Sequence, residues 1–199
     1  DHDPFFARVL DQPSDLWIHP EIARLIENAS EERIVVVNDP VPGLGVNIVY
    51  VDIEAGIRLA VRHLTEKRIR AIGMIHGPEQ VLFKGTKIKG GSLPFIDTRL
   101  KKSAFLSALK AARVPVKSSW VRAARANSED EGFRVMKKWL REKKLPDAIL
   151  CGNDDLAFGV IKAIKSAGLS CPDDIAVIGF DDNSRAQKFT PPLTTIRQP

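Results

Sequence analysis

Two short apolar runs near the end of the chain, Ala148-Ile149-Leu150-Cys151 and Ile175-Ala176-Val177-Ile178, each stop at polar residues and enclose a helical stretch. Apolar runs without polar alternation are the mark of strands covered on both faces, and a helix between them makes the connection a parallel crossover. In such sheets the groups that touch ligands collect just past the carboxyl ends of the strands. Asn153, Asp154 and Asp181 stand at those ends. The pattern therefore predicts one polar ligand site onto which they converge.

The same rhythm runs through the rest of the chain. Leu16-Trp17-Ile18 reads as a short strand, and Pro20 opens a helix from about Glu21 to Asn28. Ile34 to Val37 and Asn47 to Tyr50 read as strands, the second reaching Asp52, which caps a helix striped with Ile53, Ile57, Val61 and Leu64. Ala71 to Ile75 is a further buried strand ending at His76. Residues 80–97 break the period with Gly85, Gly90, Gly91 and Pro94, and predict a loop or short hairpin. Asp97 or Thr98 then caps a helix whose inward stripe is Phe105, Ala108, Leu109 and Ala112. Ser119 to Ala123 is a candidate strand, and Ser128-Glu129-Asp130-Glu131 fits a capping box ahead of a helix with Phe133, Met136 and Leu140 inward. Strand and helix alternate throughout, so the fold class is α/β, with parallel sheets flanked by helices.

The helix at 154–167, stopped by Gly168, is more apolar than one sheet face requires. Leu156, Ala157, Val160, Ile161, Ala163 and Ile164 already cover nearly half its surface, and Phe158 projects on the far side between Lys162 and Lys165. The surplus predicts a second subunit seated on this helix, with Leu156, Phe158 and Val160 at the dimer interface. A singly exposed Phe158 is the plainer alternative.

Composition narrows the function classes. A chain of 199 residues that is 44% hydrophobic can bury a core, yet no apolar run reaches the ~20 residues of a membrane span. Asp1-His2-Asp3-Pro4 has neither the basic start nor the apolar core of a signal peptide, and Cys151 and Cys171 have no metal-type spacing. Both cysteines read as reduced structural residues of a cytoplasmic protein. The net charge of +5 has its excess between Lys84 and Lys144, at helical solvent spacing with no aromatic residues interleaved. That describes a solvated face, so this chain by itself is expected to bind DNA weakly if at all. Enzyme signatures are missing. No Gly-x-Ser-x-Gly elbow occurs, Lys84-Gly85-Thr86-Lys87 lacks phosphate-loop spacing, and His2, His19, His63 and His76 form no metal-binding pair. No catalytic residue, metal or cofactor is expected.

The segment Pro146 to Pro199 resembles the effector-binding core of lactose-repressor-type (LacI/GalR family) transcriptional regulators. The shared words are Pro-Asp-Ala-Ile at 146–149, Gly-Asn-Asp at 152–154, Val177-Ile178-Gly179-Phe180-Asp181-Asp182 and Thr190-Pro191-Pro192-Leu193-Thr194-Thr195-Ile196-Arg197-Gln198-Pro199. Val35 to Pro78 is similar to the same family, through Val41-Pro42-Gly43-Leu44, Val51-Asp52 and His63-Leu64. The resemblance implies a two-lobed, type I periplasmic-binding-protein-like fold that closes on a small molecule held between its lobes. Residues 1–76 would be a partial N-terminal lobe and residues 77–199 the C-terminal lobe. Such regulators also carry a helix-turn-helix headpiece that this chain lacks, so it reads as an incomplete effector domain. Operator DNA would be bound through that headpiece, by a homodimer with no membrane association.

Effector contacts carry over from the family position by position. They are Asp181 as hydrogen-bond acceptor, Asn153 as contact or cap, Arg99 and Lys101 on the following helix, Asn127, His19 and Gln198. Two positions depart from the family. Lys101 stands where an arginine commonly grips the effector, and Asn127 where an aromatic ring often stacks on it. A lysine offers a point charge in place of a planar fork, so the effector is expected to differ from familiar ones. The resemblance implies a ligand-responsive regulator that senses a small polar molecule, a sugar or sugar derivative. An extracytoplasmic sugar receptor of a transport system is the alternative.

Overall fold

A computed structural model of the chain describes residues 7–8, 17–18, 35–37, 47–49, 51–82, 92–94, 96–142 and 144–198. It divides into two compact units, Asp1–Val51 with Gln80–Leu93, and Asp52–Glu79 with Pro94–Pro199. In the first unit, β1 (Ala7–Arg8) and β2 (Trp17–Ile18) pair antiparallel, and β3 (Val35–Val37) and β4 (Asn47–Val49) pair parallel. The expected interruption after residue 80 contains a two-stranded sheet of β6 (Gln80–Leu82) and β7 (Ser92–Pro94). The helix expected over 21–28, and His19, lie outside the described residues.

The second unit is built on one five-stranded sheet. Its strands are β5 (Ile72–His76), β8 (Val121–Ala123), β9 (Ala148–Cys151), β10 (Ala176–Asp181) and β11 (Thr194–Arg197), in the order β11-β10-β9-β5-β8. Every pairing in it is parallel. Consecutive strand residues point to opposite faces, and the core divides accordingly. Ile75, Ile149, Cys151 and Val177 pack under α3 (Glu129–Trp139) and α4 (Asp154–Ser166). Ile72, Met74, Ala148, Leu150, Ile178 and Phe180 pack under α1 (Ile53–Glu66) and α2 (Ile96–Ala111). The sheet is thus covered on both sides, as its unbroken apolar strands require.

The lobe boundary expected after residue 76 falls inside the second unit. β5 hydrogen-bonds to both β8 and β9, and α1 packs its Ile57, Ala60, Val61 and Leu64 into the same core as α2. Both elements therefore belong to the second unit, which begins at Asp52.

Caps follow the sequence with two differences. Asp52 Oδ1 accepts from the Ala55 amide at 2.8 Å and starts α1 as expected. Ser128 Oγ accepts from the Glu131 amide at 3.4 Å, but the Glu131 carboxylate accepts from the Arg125 amide at 2.7 Å and pairs with Arg134, so the capping box is not reciprocal. α2 starts at Ile96, which puts Asp97 and Thr98 inside its first turn and not at its cap. Cys151 and Cys171 are free thiols, and among the described residues no helix is long and apolar enough to cross a membrane.

The dimer contact expected on α4 is also corrected. Leu156, Phe158 and Val160 are all 0% exposed within the chain's own core. The Phe158 ring lies 4.6 Å from that of Phe189, and the Arg185 guanidinium sits 4.5 Å from its centroid. α3 and the residues after β10 cover the outer side of α4, so the surplus apolar surface is consumed intramolecularly. The α3–α4 contact is close because glycines meet backbone on both helices. A Cβ at Gly159 would lie 1.9 Å from the Glu129 carbonyl oxygen, and one at Gly132 would lie 2.2 Å from that of Leu156. Gly159→Ala must push the helices apart and is expected to cost about 3 kcal/mol, read as a lowered urea midpoint.

Candidate functional site

The carboxyl ends of the central strands bring most of the sequence-derived site residues into one row. Ile178 pairs with Leu150, so the same register brings Asp181 level with Asn153. Asp181 itself pairs with Arg197, which places Gln198 just beyond it. On the other side of β9, Gly152 lies against His76, and the Ala124 amide donates to the His76 carbonyl at 2.8 Å. Asn127 completes this side: a Cβ on Gly77 would fall 2.0 Å from its Oδ1, so the Asn127 amide packs directly over Gly77.

Asp181 is the best-placed acceptor. Its Oδ1 accepts from Gln198 Nε2 at 2.5 Å, and its side chain is half-buried. Burial raises its pKa above the ordinary carboxylate value, Lys101 and Gln198 pull it down, and Asp154 and Asp97 push it up. The backbone here is unusual, with φ of 122° at Asp181 and 55° at Asp182. Residues with a side chain resist such values at a cost of about 1–3 kcal/mol each, and they persist where surrounding bonds over-determine them.

Asn153 serves as cap, with Oδ1 accepting from the Leu156 amide at 2.9 Å. Its amide NH2 has no partner among the described residues, so capping and ligand contact are compatible. Lys101 departs from expectation. It is 4% exposed, donates to the Gly152 carbonyl at 2.9 Å, pairs with Asp97 at 2.9 Å and lies 4.2 Å from the Phe180 ring centroid. An ammonium committed to these partners is not a free grip for an effector, and it reaches the site through its field on Asp181. Arg99 is exposed on α2, and its charge acts on Glu79.

Two further residues acquire roles only in three dimensions. His76 is 2% exposed, and its Nδ1 donates to the Gly77 carbonyl at 2.7 Å while Nε2 stands 3.6 Å from Glu79 Oε1. Burial lowers its pKa. Its place at the end of β5 was the available signal, since the same reasoning selected Asn153 and Asp181. Asp154, expected to converge on the ligand, is instead 0% exposed. It accepts from Thr195 Oγ1 at 2.5 Å and from the Asn183 amide at 2.7 Å, and burial raises its pKa.

A parallel sheet covered by helices on both sides is also the fold of solved relatives of this chain. The family profile described as periplasmic binding protein-like domain matches residues 61–199. The chain belongs to this family. Within it, the chain is similar to lactose-repressor-type regulators. It is 40% identical over 141 residues to the HTH-type transcriptional repressor PurR of Photorhabdus laumondii, covering 71% of this chain and 37% of the relative. A LacI family regulator from Lactobacillus casei, solved with bound sucrose, superposes with a TM-score of 0.71 at 27% identity, over 89% of this chain and 61% of that one. The lac repressor dimer bound to operator superposes at 0.71 and 26% identity, over 90% and 56%. This periplasmic binding protein-like chain therefore spans only part of the length of its relatives.

Proposed function

We propose that the chain is the effector-sensing part of a cytoplasmic, lactose-repressor-type transcriptional regulator. A small polyhydroxylated or amine-bearing molecule, a sugar or sugar derivative, is held at the carboxyl edge of the five-stranded sheet. The single observation that carries this reading is the Asp181 carboxylate, which uses one oxygen for Gln198 and has no described protein partner on the other. Beside it stands the uncommitted amide of Asn153. The pair offers an acceptor and a donor to neighbouring hydroxyl groups, and the sucrose complex of the L. casei regulator supports a sugar. Operator DNA is bound by a headpiece elsewhere in the regulator, and the functional unit is a homodimer, as the lac repressor is on its operator. An effector that binds one conformation better than another shifts the population, and with it operator affinity.

A thermal-shift screen of the full-length regulator against sugars, nucleosides and nucleobases tests this. An effector at 100 times its Kd is expected to raise Tm by about 2–4 °C and to change operator affinity. Stabilisation by a nucleobase and by no sugar overturns the sugar assignment. Stabilisation with operator affinity unchanged favours a solute receptor.

A further inference from the structure

Asp154 is a fully buried carboxylate that no effector can reach, yet it is bonded to the turn that follows Asp181. Its two oxygens divide the work. Oδ2 accepts from the Asn183 amide at 2.7 Å, and Oδ1 accepts from Thr195 Oγ1 at 2.5 Å. The same Thr195 oxygen in turn accepts from the Asp182 amide at 3.3 Å. Asp154 thus holds residue 183 directly and residue 182 through Thr195. Positive φ occurs at Asp181 and Asp182, so the clamp grips the second of these strained residues and the one that follows it.

The surroundings are shaped to this clamp. A Cβ at Gly179 would fall 2.2 Å from Asp154 Oδ1 and 3.2 Å from Thr195 Oγ1, so the carboxylate occupies the space that a side chain on β10 would take. The end of β11 and the residue after it add two more ties to the same turn, Arg197 to Asp182 at 2.5 Å and Gln198 to Asp181 at 2.5 Å. Burying a carboxylate is costly unless its oxygens find donors, and here the Asn183 amide and the Thr195 hydroxyl supply one to each.

From this geometry we infer that Asp154, acting through Thr195, is a positioning residue that fixes the Asp181 carboxylate at the sheet edge. The inference rests on reading Asp181 as the effector's acceptor, but its test needs no effector. The groups facing Asp181 are Lys101 and Asp97 from α2, Asp154 from α4 and Gln198 just after β11. The Asp181 side-chain carboxyl is titrated by carbon NMR in the full-length regulator, with Asp181→Asn assigning its signal. Amide hydrogen exchange is followed at residues 182 and 183.

Thr195→Val keeps the shape of the side chain and removes the hydroxyl. It is expected to move the Asp181 pKa by about 0.5 unit or more toward the ordinary aspartate value, as the released turn takes up water. Exchange at the two amides should quicken by about tenfold or more. Thr195→Ser, which retains the hydroxyl, should restore both. A Thr195→Val protein of lowered Tm whose Asp181 titration and amide rates match the wild type overturns the inference, because it leaves only a general structural role. Failure of Asp181→Asn to alter the effector response strikes the functional reading instead and leaves these two readouts standing.

Discussion

Asp181→Ala is expected to abolish the effector response, weakening binding about 100-fold or more. Hydrogen bonds to a charged group contribute about 1.5–3 kcal/mol each, and a sugar diol would lose at least one strong bond and its partner's alignment. Alanine is a poor occupant of a backbone at φ 122°, so Asp181→Asn is the companion variant, since asparagine tolerates positive φ and keeps the outline of the side chain. It is expected to lose about tenfold or more in affinity with its melting transition retained. Calorimetry with the effector found by screening reads both variants, and unchanged affinity in the two would remove Asp181 from the site.

Asp181 also sets the expected pH response. The bond-accepting form is the ionised one, and burial raises the pKa above its usual 3.8. Affinity should therefore fall on acidification through a pH above the range of an exposed aspartate. The contribution of this group to folding runs the other way. A carboxyl whose folded pKa is raised adds stability below its unfolded pKa and loses it as pH rises through the folded value. Mild acid should weaken binding without weakening the fold at this residue.

Phe158→Ala is expected to cost about 3–5 kcal/mol in stability, the range for removing a fully buried aromatic ring. Its ring is closed in by Phe189, by the Arg185 guanidinium and by the contact between α3 and α4, so the cavity has few ways to collapse. The shift in urea midpoint should be the same at every protein concentration. A shift that shrinks as concentration rises would mean that Phe158 is covered by a second subunit, as the helical wheel alone suggests.

The fold was largely legible because its strands and helices are written in local periods. The runs at 148–151 and 175–178, the stripe Ile57-Val61-Leu64 and the caps at Asp52 and Asn153 each depend on residues a few positions apart. The candidate site was legible in outline for a topological reason: in a parallel sheet the end of a strand is itself an address. Less was legible of what each polar group does there. Lys101 and Asp154 look like ligand contacts in sequence, but Lys101 is committed to the Gly152 carbonyl and Asp154 to Thr195, 51 and 41 positions away. Partners that distant leave no period to read.

The order of elements, the two-faced burial of the sheet and the placing of Asn153 and Asp181 at strand ends are properties of the amino-acid sequence alone. Tertiary structure decided that β5 joins the second unit, that Phe158 faces α3 and the residues after β10, and which carboxylate stays available. A helix or strand pattern records that a face must be buried, whereas the identity of the covering surface is set by long-range packing. At Gly132 and Gly159 that packing turns on the absence of a single methyl group, a detail visible only once the two helices are in contact.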